Sequence, residues 1–142
     1  MKKWRLIISV LLLVVFSATA ALLLWRLYTP THTICGTITR DGQPLVWKSD
    51  KGVLDVKFVP LDRDADANVY RAETDLAAGT YTIAGIPPGS YRVSIQQMDP
   101  YPTHDLLGFV LSMSGSQIFR DVVKDGEVID IDIPKDLSRK GM

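Results

Sequence analysis

From Thr33 onward apolar and polar residues alternate by two, and no stretch beyond residue 28 keeps a helical period. Tyr91, Val93 and Ile95 alternate with Arg92, Ser94 and Gln96. Ile129, Ile131 and Ile133 alternate with Asp130 and Asp132, and Leu54, Val56 and Phe58 with Asp55 and Lys57. Such a pattern puts apolar groups on one face of an extended chain, as a half-buried strand requires. Thr33 to Thr39, Val69 to Thr74, Tyr81 to Ala84 and Ile118 to Val123 read as further strands. About seven short strands predict an all-β fold, a Greek-key β-sandwich. Asp41-Gly42 and Asp125-Gly126 are hairpin-turn signals, because Gly accepts the positive φ of a tight turn. Met98 to Gln117 is the least regular stretch and reads as a long connection. The apolar phase gives an expected core of Ile34, Ile38, Leu54, Val56, Phe58, Tyr81, Ile83, Tyr91, Val93, Ile95, Ile129, Ile131 and Ile133.

The N-terminal segment is of another kind. Leu6 to Trp25 carries no charge, and its twenty residues would reach about 30 Å as a helix, the thickness of a hydrocarbon core. Trp4, Trp25 and Tyr28 flank it, where amphipathic rings favour the membrane interface. Lys2, Lys3 and Arg5 precede the run and Arg26 follows it, a bias that keeps the N-terminus cytoplasmic and exports the remainder. One transmembrane helix, an uncleaved signal anchor contacting the bilayer through residues 6–25, is therefore expected. Two alternatives remain open. Ala18-Thr19-Ala20 offers cleavage after Ala20, although that would leave an apolar new N-terminus. Acylation at Cys35 is the other, with Ile34 standing where a small residue is normally needed. All three place the following domain outside the cytoplasm, in the periplasm or at the cell surface.

Charge is divided accordingly. The 142 residues hold 16 Lys+Arg and 16 Asp+Glu. Four of the basic residues and none of the acids lie in residues 1–28, which leaves twelve basic against sixteen acidic, a net of −4, for the remainder. A chain of this length allows one small domain beside an anchor. Neutral overall charge argues against nucleic acid as a partner, since that needs a basic surface to displace counterions. A single Cys excludes an intramolecular disulfide and a Cys-rich zinc site.

Chemistry-bearing residues are sparse. His32 and His104 have no His or Glu at metal-ligand spacing beside them, whereas zinc hydrolysis needs three ligands and a base. Cys35 with His104 could form a nucleophile pair, but Cys35 falls inside a predicted strand with no oxyanion loop nearby. Asp62, Asp64, Asp66 and Asn68, with Glu73 at the twelfth position, have the oxygen spacing of a calcium loop. Ala67 replaces the turn Gly, so a solvated acidic loop is expected. No catalytic residue, metal or cofactor is expected. Trp47 and Tyr101 are the candidates for stacking on a sugar.

Gly36-Thr37-Ile38-Thr39-Arg40-Asp41-Gly42-Gln43-Pro44-Leu45 resembles the opening strand and turn of carboxypeptidase regulatory-like domains. Thr74-Asp75, Gly79-Thr80-Tyr81 and Gly85-Ile86-Pro87-Pro88-Gly89-Ser90-Tyr91-Arg92-Val93 resemble the centre of that family. Val123 to Glu127, leading into Ile129 to Ile133, is similar to its closing hairpin. Val46 to Gly52 and Ala77-Ala78 depart from the pattern. The resemblance implies a transthyretin-like (prealbumin-like), seven-stranded sandwich that serves as a folding, spacing or binding module without catalytic residues. The expected organisation is an anchor over residues 1–28, a connector over 29–33, the sandwich over 34–134 and a polar tail over 135–142. The expected function is non-catalytic, structural or interactive, with an envelope protein as partner. The alternative is an exported module that binds carbohydrate or another ligand.

Overall fold

A computed structural model describes residues 13–21, 28, 30–62 and 68–136. The chain divides into two units, Met1–Pro30 and Thr31–Met142. In the first, residues 13–21 are helical. Ser17 donates its hydroxyl to the Val14 carbonyl (2.9 Å) and Thr19 to the Val15 carbonyl (3.0 Å). Such bonds let hydroxyl residues sit in an apolar helix without an unpaired donor. This piece is about 13 Å long. Among the described residues no helix is long and apolar enough to cross a membrane. The transmembrane helix expected over Leu6 to Trp25 is thus represented only by this short segment, and the rest of that run lies outside the described residues.

The second unit is built of strands. In chain order they are β1 (His32–Arg40), β2 (Gln43–Pro44), β3 (Val53–Pro60), β4 (Tyr70–Arg71) and β5 (Glu73–Asp75). There follow β6 (Thr80–Ile86), β7 (Gly89–Met98), β8 (Phe119–Val122), β9 (Glu127–Val128) and β10 (Ile131–Ile133). One sheet has the order β10-β1-β6-β5, with β2 and β9 also paired to β1; the other runs β4-β3-β7-β8. Pairing is antiparallel except where β9 and β10 run parallel to β1. Each of the seven stretches read from alternation lies on observed strands. Val69 to Thr74 is divided between β4 and β5, which belong to different sheets and meet at Ala72.

All thirteen residues of the expected core are buried. The two sheets meet at Phe58 of β3, whose ring lies 6.0 Å from both Tyr81 of β6 and Tyr91 of β7. The Tyr91 hydroxyl donates to the Pro87 carbonyl at 2.6 Å. Burial, and after it the neighbouring Tyr70, push that hydroxyl up to about 12, so it stays a donor through the neutral range.

Asp125-Gly126 does not form the expected hairpin. β8 pairs with β7 in the second sheet, whereas β9 pairs with β1 in the first, so the turn carries the chain between sheets. It is fixed to Thr33, which donates its N–H to Asp125 Oδ1 (2.7 Å) and accepts from the Gly126 N–H (2.8 Å). Asp130 and Asp132, which alternate with Ile129, Ile131 and Ile133, are exposed and bind β1 and the turn after it. Thr37 N–H donates to Asp130 (2.8 Å), while Gly42 N–H (2.8 Å) and the Thr39 hydroxyl (2.7 Å) donate to Asp132. Asp130 thus replaces a backbone acceptor where the parallel ladder along β1 is broken between β9 and β10, and Asp132 caps the turn that follows β1.

At that break the backbones come very close. Ile129 N–H donates to the Cys35 carbonyl (2.8 Å), and the Tyr81 hydroxyl donates to the Ile129 carbonyl (2.6 Å). A Cβ on Gly36 would stand 2.1 Å from that same Ile129 oxygen. Gly36→Ala should therefore lower unfolding free energy by about 3 kcal/mol or more, measured by urea denaturation. An unchanged midpoint would show that Ile129 does not lie against β1 in solution.

Candidate functional site

β7 is paired on one side by β3 along its length but by β8 only over Gly89 to Arg92. Beyond Arg92 its free edge is closed by the irregular chain that follows. Val93 N–H donates to the Ile118 carbonyl (2.8 Å), Ile95 to Leu111 (2.9 Å) and Asp99 to His104 (2.8 Å). Gln97 N–H donates instead to the Asp105 carboxylate (3.0 Å), and the Ser116 hydroxyl donates to the Val93 carbonyl (2.5 Å). An irregular segment cannot offer a backbone partner at every step, so two buried side chains complete the edge. Asp105 also accepts from Leu107 N–H (3.0 Å) and Phe109 N–H (2.9 Å), which turns Leu107 and Leu111 into the core.

The next polar residues along β7 fix a second loop. Gln97 donates its amide to the Val46 carbonyl at 2.8 Å. Asp99, 1% exposed, accepts from the Ser49 hydroxyl and from the Lys48 and Ser49 N–H groups. The Ser49 hydroxyl, then the backbone donors and the Lys48 charge, hold the Asp99 carboxyl below the usual carboxylate range, outweighing the opposing effect of desolvation. Trp47 is half-buried and packs on Gly52, where a Cβ would meet its ring at 2.3 Å. The loop from Val46 to Gly52 is thus tied to the strand end beside it.

These ties shape one end of the sandwich. Ile34, Ile38 and Arg40 share the inward phase of β1, as Val93, Ile95 and Gln97 share that of β7. Ile131 and Ile133 hold the inward phase of β10, and Lys135 follows two residues beyond the end of that strand, exposed. The apolar stripes therefore turn polar at one place, and a cleft of about 460 Å³ opens there. Its walls carry Arg40, Lys48 and Lys135, with Asp41 as the one acid among the described residues, and Pro44, Val46 and Leu106 as apolar surface. None of the three cations makes an ion pair among the described residues. A second cleft of about 480 Å³ lies over β3 and β7, lined by Asp55, Arg71, Gln96 and Tyr101 among others. There Asp55 is already paired with Lys57 (2.6 Å) and Arg71 (2.9 Å).

The residues singled out in the sequence are scattered. Cys35 is mid-β1, paired to Thr82 and Val128, and His32 opens the same strand opposite Ile86. His104 sits in the β7–β8 connection, on the other sheet, where its carbonyl accepts from Asp99. Structure does not bring Cys35 and His104 together. Residues 63–67 of the acidic stretch lie outside the described residues. Among the described residues no three His, Cys, Asp or Glu side chains converge as a metal site. Tyr101 is exposed over the second cleft, whereas Trp47 is committed to packing. Sequence reasoning missed Gln97, Asp99, Asp105 and Ser116. For Gln97 a signal existed, because it continues the inward phase of β7.

No protein-family model matches the chain, and no curated protein matches it significantly.

Because its folded pKa is depressed, Asp99 contributes stability that is fully present above the ordinary carboxylate value near about pH 4. That contribution is lost as pH falls through the lower, folded value. Asp99→Asn should lower the melting temperature at neutral pH, and its deficit relative to the parent chain should shrink on acidification. Parallel melting curves at every pH would contradict this role.

Proposed function

We propose that the chain is a non-catalytic β-sandwich module of the carboxypeptidase regulatory-like type, anchored in a membrane and displayed outside the cytoplasm, with a structural or protein-interaction role. One observation carries the reading. The buried or strand-bound polar side chains that could do chemistry, Asp99, Asp105, Ser116, Asp130 and Asp132, are hydrogen-bonded to backbone groups of the sandwich. A general base or nucleophile needs a lone pair turned toward a substrate, and these are turned toward the fold. Two packed sheets and the order of the turn motifs support the family resemblance, as far as architecture can. The anchor rests on the uncharged run from Leu6 to Trp25 and its flanking charges. An envelope protein is the partner such a display would serve, and the acidic balance of residues 29–142 disfavours nucleic acid.

Intact mass of the protein recovered from its native membrane fraction tests the anchor. A full-length mass is expected. A chain beginning at Ala21, or a diacyl adduct on Cys35, would replace the anchor with a released domain or a lipoprotein.

A second reading, an exported carbohydrate-binding module, is favoured by the exposure of Tyr101 over the cleft that holds Asp55, Arg71 and Gln96. Sugar modules pair a stacking ring with planar polar groups in this way. On that reading Tyr101→Ala should abolish retention on a glycan array. Retention unaffected by the change, or no retention by the parent chain, would remove it.

A further inference from the structure

We infer that the cleft between the two sheets at the Arg40 end of β1 is a docking site for an extended acidic segment of a partner protein. This rests on the interaction-module reading above and names its surface and the chemistry of its partner. Three elements each bring one cation to the same opening: Arg40 from β1, Lys48 from the loop after β2, and Lys135 from the chain just beyond β10. Arg40 occupies the inward position one pleat beyond Ile38, which is 0% exposed, and Lys135 stands exposed just past the end of β10. Charge at an inward position is costly unless it reaches water or an opposite charge. Here it reaches the cleft, and among the described residues Asp41 is the only acid lining the site.

Charge complementarity selects the occupant. The sequence from residue 29 onward carries a net of −4, yet this opening gathers three cations without an ion pair among the described residues. An acidic segment would be repelled by most of the domain and drawn to this place, which is how electrostatics fixes a binding register. Pro44 and Val46, the latter 78% exposed, add an apolar strip beside the cations. An occupant alternating carboxylate and aliphatic side chains meets both. The walls are also preorganised. Asp41 and Gly42 both take positive φ (53° and 71°), the geometry of a tight two-residue turn, and Gln97 and Asp99 fix the loop that bears Val46 and Lys48. Little ordering remains to be done on binding.

The test uses the full chain in detergent and a fluorescein-labelled hexapeptide of alternating Glu and Leu, read by fluorescence anisotropy. Binding should weaken with added salt, and Arg40→Gln, Lys48→Gln and Lys135→Gln together should raise Kd roughly tenfold or more. Lys124→Gln, remote from the cleft, should leave it unchanged, and Lys48→Gln with Lys135→Gln alone, both exposed, keeps the test valid should Arg40→Gln perturb the strand. Equal binding of the parent and the triple variant, equal binding of a Lys–Leu peptide, or displacement by inorganic phosphate at the peptide's own concentration would overturn the assignment. Photocrosslinking in the native envelope separates this from the broader reading. Adducts from a probe at Val123 but not at Val46 would overturn the cleft and leave an interaction module, whereas adducts from neither position would overturn both.

Discussion

β1 is the strand on which the first sheet is assembled, and the passage of the C-terminal strand across Gly36 is the contact that assembly depends on. β1 pairs with β6 on one side and with β9 and β10 on the other, and β2 turns back on its end. The strands that close the sheet on that side are the last two in chain order among the described residues. They can lie against β1 only because Gly36 presents no side chain to the Ile129 carbonyl, which then receives the Tyr81 hydroxyl from β6. Backbone of β9–β10, side chain of β6 and the missing Cβ of β1 thus meet at a single oxygen. Tyr81 also packs on Phe58, so the same point reaches into the second sheet.

Both sheets solve one further problem with the same device. Where a strand's neighbour is irregular, its N–H and C=O groups would be left unpaired, and a carboxylate or hydroxyl is placed to take them. Asp125 and Asp130 do this along β1, and Asp105 and Ser116 along β7. Open edges invite pairing with other chains. Closing that of β7 with an irregular segment removes such an edge without adding a strand, and leaves the adjoining loops rigid enough to frame a cleft.

Alternation in the sequence carried most of this architecture. It gave the inward residues of β1, β3, β6, β7 and β10, because a period of two is all that a half-buried strand needs. It could not reveal Leu107 and Leu111, which enter the core from turns with no period, directed there by Asp105. Nor could it show that Val69 to Thr74 changes sheets at Ala72, since either sheet would bury the same face. Asp125-Gly126 was misleading for a physical reason: positive φ at a Gly serves any tight reversal, and says nothing about which strand comes next. Asp99 and Asp105 were invisible as site-forming groups, because a buried carboxylate that caps backbone has the same letter as one in solvent.

The cleft was partly legible, and the reason bears on its role. Ile38 followed by Arg40 and Ile95 by Gln97 are stripes whose inward phase turns polar one pleat on, and Lys135 follows two residues after Ile133, where β10 ends. In a sandwich whose only demand is stability, each stripe could end at solvent with any polar residue. Here the three ends converge, two of them as cations, and a third cation arrives on a loop tied down by Gln97 and Asp99. Like charges brought together repel one another, so this convergence works against folding except where Lys48 favours the buried Asp99 carboxylate. An opposite charge arriving from outside the chain would offset that repulsion, which is the physical ground for the proposed docking of an acidic segment at this end of the domain.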